Sequence, residues 1–280
     1  MNEVSVTPLG TVSPYTKDDK NCPGFLVESN GYKVLLDCGE GVSRYLKFPE
    51  DLNNMIIIIS HLHKDHYSGI SSIAYASYVY SKLGYLKNKI NVFIPGGDLP
   101  KVSETLYYED WGRKEKFEKK LQDFEYLINY GDENFLKFNV YEELFCYNSI
   151  KIIEHGDMKI TFSKNPHNLY TYSTKIKVGD ISIVYSSDTG YQYNSLKNFA
   201  KNADLLICES TFLKGQEKRE DYHLFAYEAG MIARGANVKK LLLTHFWPEI
   251  DKELYVNEAR EYFLNTEAAV EGKKLVLRRM

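Results

Sequence analysis

The chain has 280 residues, of which 44% are hydrophobic and 26% charged; this is enough apolar material for one or two packed cores and excludes disordered and collagen-like chains. A formal net charge of -3 argues against a broadly basic surface gripping duplex nucleic acid, while leaving room for a local basic patch. Four cysteines, Cys22, Cys38, Cys146 and Cys208, form no CxxC pair, so neither a disulfide framework nor a thiolate metal knuckle is indicated. A leader pattern is lacking and the longest aliphatic run, Met55 to Ile59, is too short to cross a bilayer; a cytoplasmic protein in a reducing compartment is expected.

In chain order, Val4 to Thr7, Phe25 to Glu28, Tyr32 to Asp37 and Met55 to Ser60 read as short apolar strands between turns. Ser68 to Leu83 carries apolar residues at helical spacing and ends at Gly84. Another strand follows within Lys89 to Gly97. From about 98 to 148 the composition shifts to charge and aromatics, and Phe117, Leu121, Phe124 and Ile128 make one helical face; this reads as a helical, aromatic insertion, either a surface-packing helix or a lid. Strand patterns return at Ile150 to Glu154, Lys159 to Ser163, Tyr170 to Val178 and Ile181 to Ser186, with Gly-Asp turns between. Asp204 to Cys208 and Lys240 to Thr244 read as buried strands beside helical patterns at Ser195 to Lys201 and Leu224 to Arg234, and Lys273 to Arg279 as a last strand. One α/β domain spanning 1–280 is expected.

Directly after the strand Met55 to Ser60 comes His61-Leu62-His63-Lys64-Asp65-His66, which gathers three of the seven histidines into six residues. Imidazoles two residues apart in a turn can converge on one cation, while the following Asp and His serve a second.

With this motif the chain resembles the metallo-β-lactamase superfamily, in its ribonuclease Z-like phosphodiesterase branch. Leu35-Leu36-Asp37-Cys38-Gly39-Glu40-Gly41 is similar to the family's early Asp turn. Asn165-Pro166-His167, Tyr185-Ser186-Ser187-Asp188-Thr189-Gly190 and Leu243-Thr244-His245-Phe246 resemble its later metal motifs. The resemblance implies an αββα sandwich, two packed mixed sheets flanked by helices. It further implies two divalent ions, one held by His61, His63 and His167, the other by Asp65, His66 and His245, with Asp188 bridging. His61, Asp188 and His245 each follow an apolar strand, where open α/β sheets build sites. Imidazole and carboxylate donors without thiolate suit Zn or Mn, and the nitrogen-rich set favours Zn. Two such ions would hold and acidify a bridging water. Asp37 reads either as the residue that orients a metal-bound histidine or as a turn former. His223, before the helical pattern at Leu224, reads as a phosphate contact, in agreement with the family, or as a surface helix-start residue. His155 is assigned only to a turn.

Two departures from the family bear on the reaction. Cys208-Glu209-Ser210-Thr211 stands where ribonuclease Z enzymes show His-Glu-Ala-Thr, so Glu209 remains near the site while the histidine beside it is missing. Those enzymes also carry a long tRNA-gripping arm before the bridging Asp, and about 20 residues between His167 and Asp188 leave no room for one. Tyr107, Tyr108, Trp111, Phe117 and Phe124 could instead cover a nucleotide. The expected activity is hydrolysis of a small phosphodiester, most of all a cyclic mononucleotide, with His223 steadying phosphate charge and Asp65 managing the proton of the attacking water. The resemblance there is to small bacterial and phage phosphodiesterases that open cyclic nucleotides, some of which blunt defence signalling. Rival readings are a ribonuclease Z-like RNA 3'-end endonuclease, a lactone or thioester hydrolase, and a binding protein that keeps metal only for stability. A redox diiron protein is disfavoured, because that branch replaces the His63 histidine with Glu. Relatives of this kind are usually dimers, so a homodimer is expected.

Overall fold

In the computed structural model the described residues are 2–95, 128, 135–140, 145–146, 149–150, 152–217 and 221–279. The first sheet is built by β1 (Asn2–Gly10), β2 (Gly24–Ser29), β3 (Tyr32–Leu36), β4 (Met55–Ile58), β5 (Ile90–Ile94) and β6 (Leu136–Val140). A two-stranded ribbon, β7 (Phe145–Cys146) with β8 (Ser149–Ile150), comes next. The second sheet takes β9 (Ile153–His155), β10 (Met158–Lys164), β11 (Tyr172–Val178), β12 (Ile181–Tyr185), β13 (Leu205–Glu209), β14 (Leu241–Thr244) and β15 (Thr266–Ala268). The chain's final strand, β16 (Leu275–Arg279), returns to the first sheet beside β1, so the orders are β16-β1-β2-β3-β4-β5-β6 and β15-β14-β13-β12-β11-β10-β9. Each sheet is half antiparallel and half parallel: β3 through β6 run parallel in one, β12 through β15 in the other.

The strands alternate, yet both of their faces are apolar, which is the pattern of a sheet covered on two sides. Phe25, Val27, Val34, Leu36, Ile56 and Ile58 point into a core shared with Ile160, Ile176, Ile183, Tyr185 and Ile207 of the second sheet. Their neighbours Leu26, Leu35, Ile57 and Ile59 turn to the other face and pack on Ile70, Ile73 and Ala74. Those three belong to α2 (Ile70–Lys82), which follows the single turn α1 (Lys64–Tyr67). On the far side Val184, Leu206, Cys208, Leu241 and Leu243 meet α3 (Tyr193–Phe199), α4 (Ala226–Ala236) and α5 (Lys252–Arg260) through Leu196, Ala229, Ile232, Ala233 and Val256. Helix, sheet, sheet, helix is the sandwich that the motifs implied. Among the described residues no helix is long and apolar enough to cross a membrane.

The elements depart from the sequence reading at β6, at the β7–β8 ribbon, whose first strand lies in the stretch read as a helical insertion, at α5 and at β15. Leu136 to Val140, assigned to the helical insertion, is instead β6, parallel to β5 in the register Ile90↔Leu136 to Ile94↔Val140. Its alternation, Leu136 and Phe138 buried with Lys137 outward, is the two-residue period of a strand. The helix α5 and the short β15 were not anticipated either. Apart from Ile128, Phe135, β6 and β7, the 98–148 range, with Tyr107, Tyr108, Trp111, Phe117, Leu121, Phe124 and the lid reading, lies outside the described residues. His155 ends β9 and meets the Asn54 carbonyl at 2.7 Å, away from the histidine cluster.

Candidate active site

Most of the candidate residues leave strands at the same rim of the sandwich, while Asp65 and His66 stand in α1 and His223 precedes α4. His61 and His63 follow β4, His167 follows β10, Asp188 follows β12, Glu209 closes β13 and His245 follows β14, so the parallel halves of both sheets aim their C-terminal ends at one place. The exits are abrupt. Asp37 (φ 58°), Ser187 (φ 52°) and His245 (φ 65°) all take the left-handed conformation, which costs a non-glycine residue of order 1–3 kcal/mol and is kept where the surroundings enforce it. Asn165 ties two exits together: its Nδ2 donates to the carbonyls of Ser186 (2.7 Å) and Asp188 (2.9 Å), and its Oδ1 accepts from Ser173 (2.7 Å).

Among the described residues three overlapping groups of donor atoms result, the third being Asp188, His223 and His245; the other two gather the ligands read from the sequence. In the first, His61 Nε2 lies 3.0 Å from His63 Nδ1, which is 3.3 Å from His167 Nε2. Asp188 Oδ2 is 3.5 Å from His61 Nε2. In the second, His66 Nε2 and His245 Nε2 are 3.3 Å apart, and Asp65 Oδ2 is 3.6 and 3.7 Å from them. Asp188 turns its other oxygen to this group, with Oδ1 3.3 Å from His66 Nε2 and 3.1 Å from His245 Nε2. Metal–nitrogen bonds of about 2.1 Å in a tetrahedron place the donors about 3.4 Å apart, which is the spacing found. Asp188 Oδ1 is buried with no hydrogen-bond partner, a costly state for a carboxylate oxygen unless a cation faces it. The residues therefore fit divalent metal, and Asp188 is placed to face both groups.

The opposite ring nitrogens are anchored. His66 Nδ1 meets Asp37 Oδ2 at 2.7 Å, His61 Nδ1 meets Ser60 Oγ at 3.0 Å, and His245 Nδ1 meets Thr211 Oγ1 at 2.8 Å. His167 Nδ1 donates to the Tyr222 carbonyl at 3.1 Å. Asp37 is fully buried and also accepts from the Ser60 amide (2.6 Å), Ser60 Oγ (2.8 Å) and Tyr185 Oη (2.7 Å). This favours the orienting role over the turn-former reading.

With the protein's own charges alone, burial holds His61 and His167 below the usual histidine range and His63 down at about 4. Neutral rings are the form that ligates. His66 behaves oppositely: burial works against its charge, but Asp188, Asp65 and Asp37 around it hold its pKa well above normal. For Asp188, burial is outweighed by His245, His66 and His61, which hold the carboxyl well below its ordinary range.

His223 stands before α4 with its ring stacked on His245 (5.4 Å between centroids) and its Nδ1 3.1 Å from Glu209 Oε1. Burial opposes its charge, but Glu209 and then Asp188 raise its pKa to about 9. This corrects the reading that Glu209 lacks a histidine. Cys208 packs into the helical layer with Leu206, so the position before Glu209 faces away from the rim, and the histidine that meets Glu209 is His223, 14 residues further along the chain in the connection that follows β13. Glu209 also accepts from the amides of Thr189 (2.8 Å) and Leu224 (3.1 Å) and from Thr211 Oγ1 (2.8 Å). Sequence reasoning gave no role to Ser60, Asn165, Tyr185, Ser187 or Thr211, nor to Ser13, whose hydroxyl donates to Asp65 Oδ2 at 2.8 Å. All but Ser13 sit inside or beside quoted motifs, which was the available signal.

Fold and site together define a metal-dependent hydrolase of the metallo-β-lactamase fold, in its ribonuclease Z-like branch. Comparison with known proteins narrows this further. The family model described as "Anti-Pycsar protein Apyc1" matches residues 4–253, and the chain belongs to that family. It is 28% identical over 243 residues to YhfI of Bacillus subtilis, covering 86% of each chain. The crystal structure of YhfI, a metallo-β-lactamase fold protein, superposes with a TM-score of 0.80 over 98% of this chain and 99% of that one, at 27% identity. A ribonuclease Z of Picrophilus torridus is 30% identical over 285 residues, with 92% and 91% of the two chains covered. Human tRNase Z, short form, shares the fold at a TM-score of 0.67 and 18% identity, over 97% of this chain and 98% of that one.

Proposed function

We propose that the protein is a dinuclear phosphodiesterase that hydrolyses a small phosphodiester, above all a cyclic mononucleotide. The observation that carries this reading is the hairpin of β11 and β12. Paired from Thr174↔Tyr185 to Val178↔Ile181, it takes up the stretch between His167 and Asp188 where a tRNA-gripping arm would be inserted. The chain's family is described as anti-Pycsar proteins, and its motifs resemble those of cyclic-nucleotide phosphodiesterases, some of which blunt defence signalling.

In this reading His61, His63 and His167 hold one divalent ion, Asp65, His66 and His245 a second, and Asp188 both. Nitrogen-rich donors favour Zn over Mn. When bound, such ions acidify water and draw charge from phosphoryl oxygens. His223, tied through Nδ1 to Glu209, keeps Nε2–H for a phosphate oxygen and steadies the charge that builds on it. Asp65, steadied by Ser13, takes the proton of the water that attacks phosphorus in line with the departing ribose oxygen. We read the working unit as a homodimer, as the resemblance implies.

The test runs 3',5'- and 2',3'-cyclic mononucleotides, linear dinucleotides, lactones and precursor tRNA with metal-stripped and metal-restored protein. Metal-dependent opening of a cyclic nucleotide is expected. Intact cyclic nucleotides alongside trimmed precursor tRNA would overturn the proposal in favour of an RNA 3'-end endonuclease, the second reading, which the Picrophilus relative supports.

A further inference from the structure

Two carboxylates buried beneath the donor cluster each reach two histidines, one directly and one through a hydroxyl. Asp37 meets His66 Nδ1 at 2.7 Å and accepts from Ser60 Oγ at 2.8 Å, and the same hydroxyl lies 3.0 Å from His61 Nδ1. Glu209 meets His223 Nδ1 at 3.1 Å and accepts from Thr211 Oγ1 at 2.8 Å, and that hydroxyl lies 2.8 Å from His245 Nδ1. The two arrangements are alike although Ser60 and Thr211 come from different sheets.

A hydroxyl has one proton and two lone pairs. Once it donates to a carboxylate it can only accept from the ring, so Nδ1 must carry the hydrogen. Nε2 is then the lone-pair nitrogen, and in both rings it is Nε2 that faces the donor cluster. At Ser60 the remaining lone pair is taken as well, by Ser187 Oγ donating at 2.6 Å. The hydroxyl cannot turn round without breaking one of these bonds.

We propose that Ser60 and Thr211 are positioning residues that extend the hold of Asp37 to His61 and of Glu209 to His245, each fixing which nitrogen its histidine offers to metal. The inference rests on the metal centre proposed above. It also divides the labour. Ser60 serves the group of His61, His63, His167 and Asp188, and Thr211 serves the group of Asp65, His66 and His245. Removing either hydroxyl leaves the carboxylates supported. Asp37 keeps the Ser60 amide and Tyr185 Oη, and Glu209 keeps the amides of Thr189 and Leu224. The fold should therefore stand while one half of the centre loosens.

The test is equilibrium binding of Co2+ to metal-stripped protein in competition with a chelator, with circular dichroism to verify folding. His63→Ala removes a donor from the first group and leaves the second to report alone. In that background Thr211→Val, which keeps the side-chain volume, is expected to weaken the bound ion about 10–100-fold, the range typical of lost outer contacts. Thr211→Ser should bind like the parent, and Ser60→Ala should leave this ion unaffected. With His63 in place, Ser60→Ala should weaken the other ion by the same factor. Should Thr211→Val not fold, Ser60→Ala and Thr211→Ser still decide, the first by weakening one ion alone and the second by weakening neither. Unchanged binding in Ser60→Ala or in folded Thr211→Val, or equal weakening of both ions by one substitution, would overturn the inference. A wild-type protein that takes up no Co2+ would overturn the metal centre and the inference with it.

Discussion

Asp37 shows how much of a site can depend on one side chain that no substrate touches. Its two oxygens receive four hydrogen bonds, from the Ser60 amide, Ser60 Oγ, His66 Nδ1 and Tyr185 Oη, all between 2.6 and 2.8 Å. Tyr185 is 2% exposed and its ring packs in the core between the sheets, 5.4 Å from Phe25. Only its hydroxyl reaches the site. Tyr185→Phe keeps the ring and deletes that hydroxyl, so it should destabilise the metal-free protein by about 1.5–3 kcal/mol, the worth of a hydrogen bond to a charged group, as read by urea unfolding. A loss near zero would mean that the bond contributes nothing net. Asp37 was legible in the sequence because it ends an apolar strand inside a recognisable turn. Tyr185 was not, since an aromatic at a buried strand position reads as core packing, and its partner lies 148 residues away.

Between elements, the site depends on loops passing closer together than side chains allow. A Cβ on Gly190 would fall 1.9 Å from the Asp221 carbonyl oxygen, and the Gly190 amide donates to Pro166 at 2.8 Å. Gly190 thus lets the Asp188 loop pass between the loop bearing His167 and the segment bearing His223. Gly190→Ala must push one of them aside. Because a displacement of about 1 Å can cost on the order of 100-fold in rate, kcat/KM on a phosphodiester should fall by about that factor while the far-ultraviolet dichroism of the sheets is retained. The elements that bear these loops were readable from runs such as Met55 to Ile58 and Leu241 to Thr244, which are apolar on both faces. Helix α5 escaped because just Tyr255, Val256 and Ala259 of its nine residues are buried, too few to set up a visible period. Its start was marked all the same by Asp251, whose side chain accepts from the Glu253 amide. The pairing of Glu209 with His223 was hidden for another reason: the motif led the eye to the adjacent position 208, whose side chain points to the opposite face.

Across the whole molecule the two sheets are fastened at both ends of the parallel strands. At the N-terminal ends, Asp204 just before β13 accepts from the Ser182 amide (2.8 Å) and pairs with Lys239 (2.8 Å) and with Arg279 (3.0 Å) of β16 in the other sheet. Although burial works the other way, these donors lower the Asp204 pKa beneath its ordinary 3.8. A carboxylate with a depressed folded pKa stabilises the fold above the unfolded value and loses that contribution as pH falls through the folded one. Asp204→Asn should therefore be less stable than the parent at neutral pH and converge with it below about pH 3.8, as urea midpoints across an acid series would show; a constant gap would refute the assignment. At the C-terminal ends the fastening is the donor cluster, with His61, His63 and His66 carried by the first sheet and His167, Asp188 and His245 by the second. Across the two sheets it sets His66 Nε2 3.3 Å from His245 Nε2 and His63 Nδ1 3.3 Å from His167 Nε2. An ion bound there only in the folded state adds about 2.7 kcal/mol at a free concentration 100 times its Kd. Chelation should accordingly lower the melting temperature and readdition of Zn2+ restore it, with His63→Ala recovering only part of the gain. A melting curve indifferent to chelator would show that the cluster does not hold the sheets together through metal.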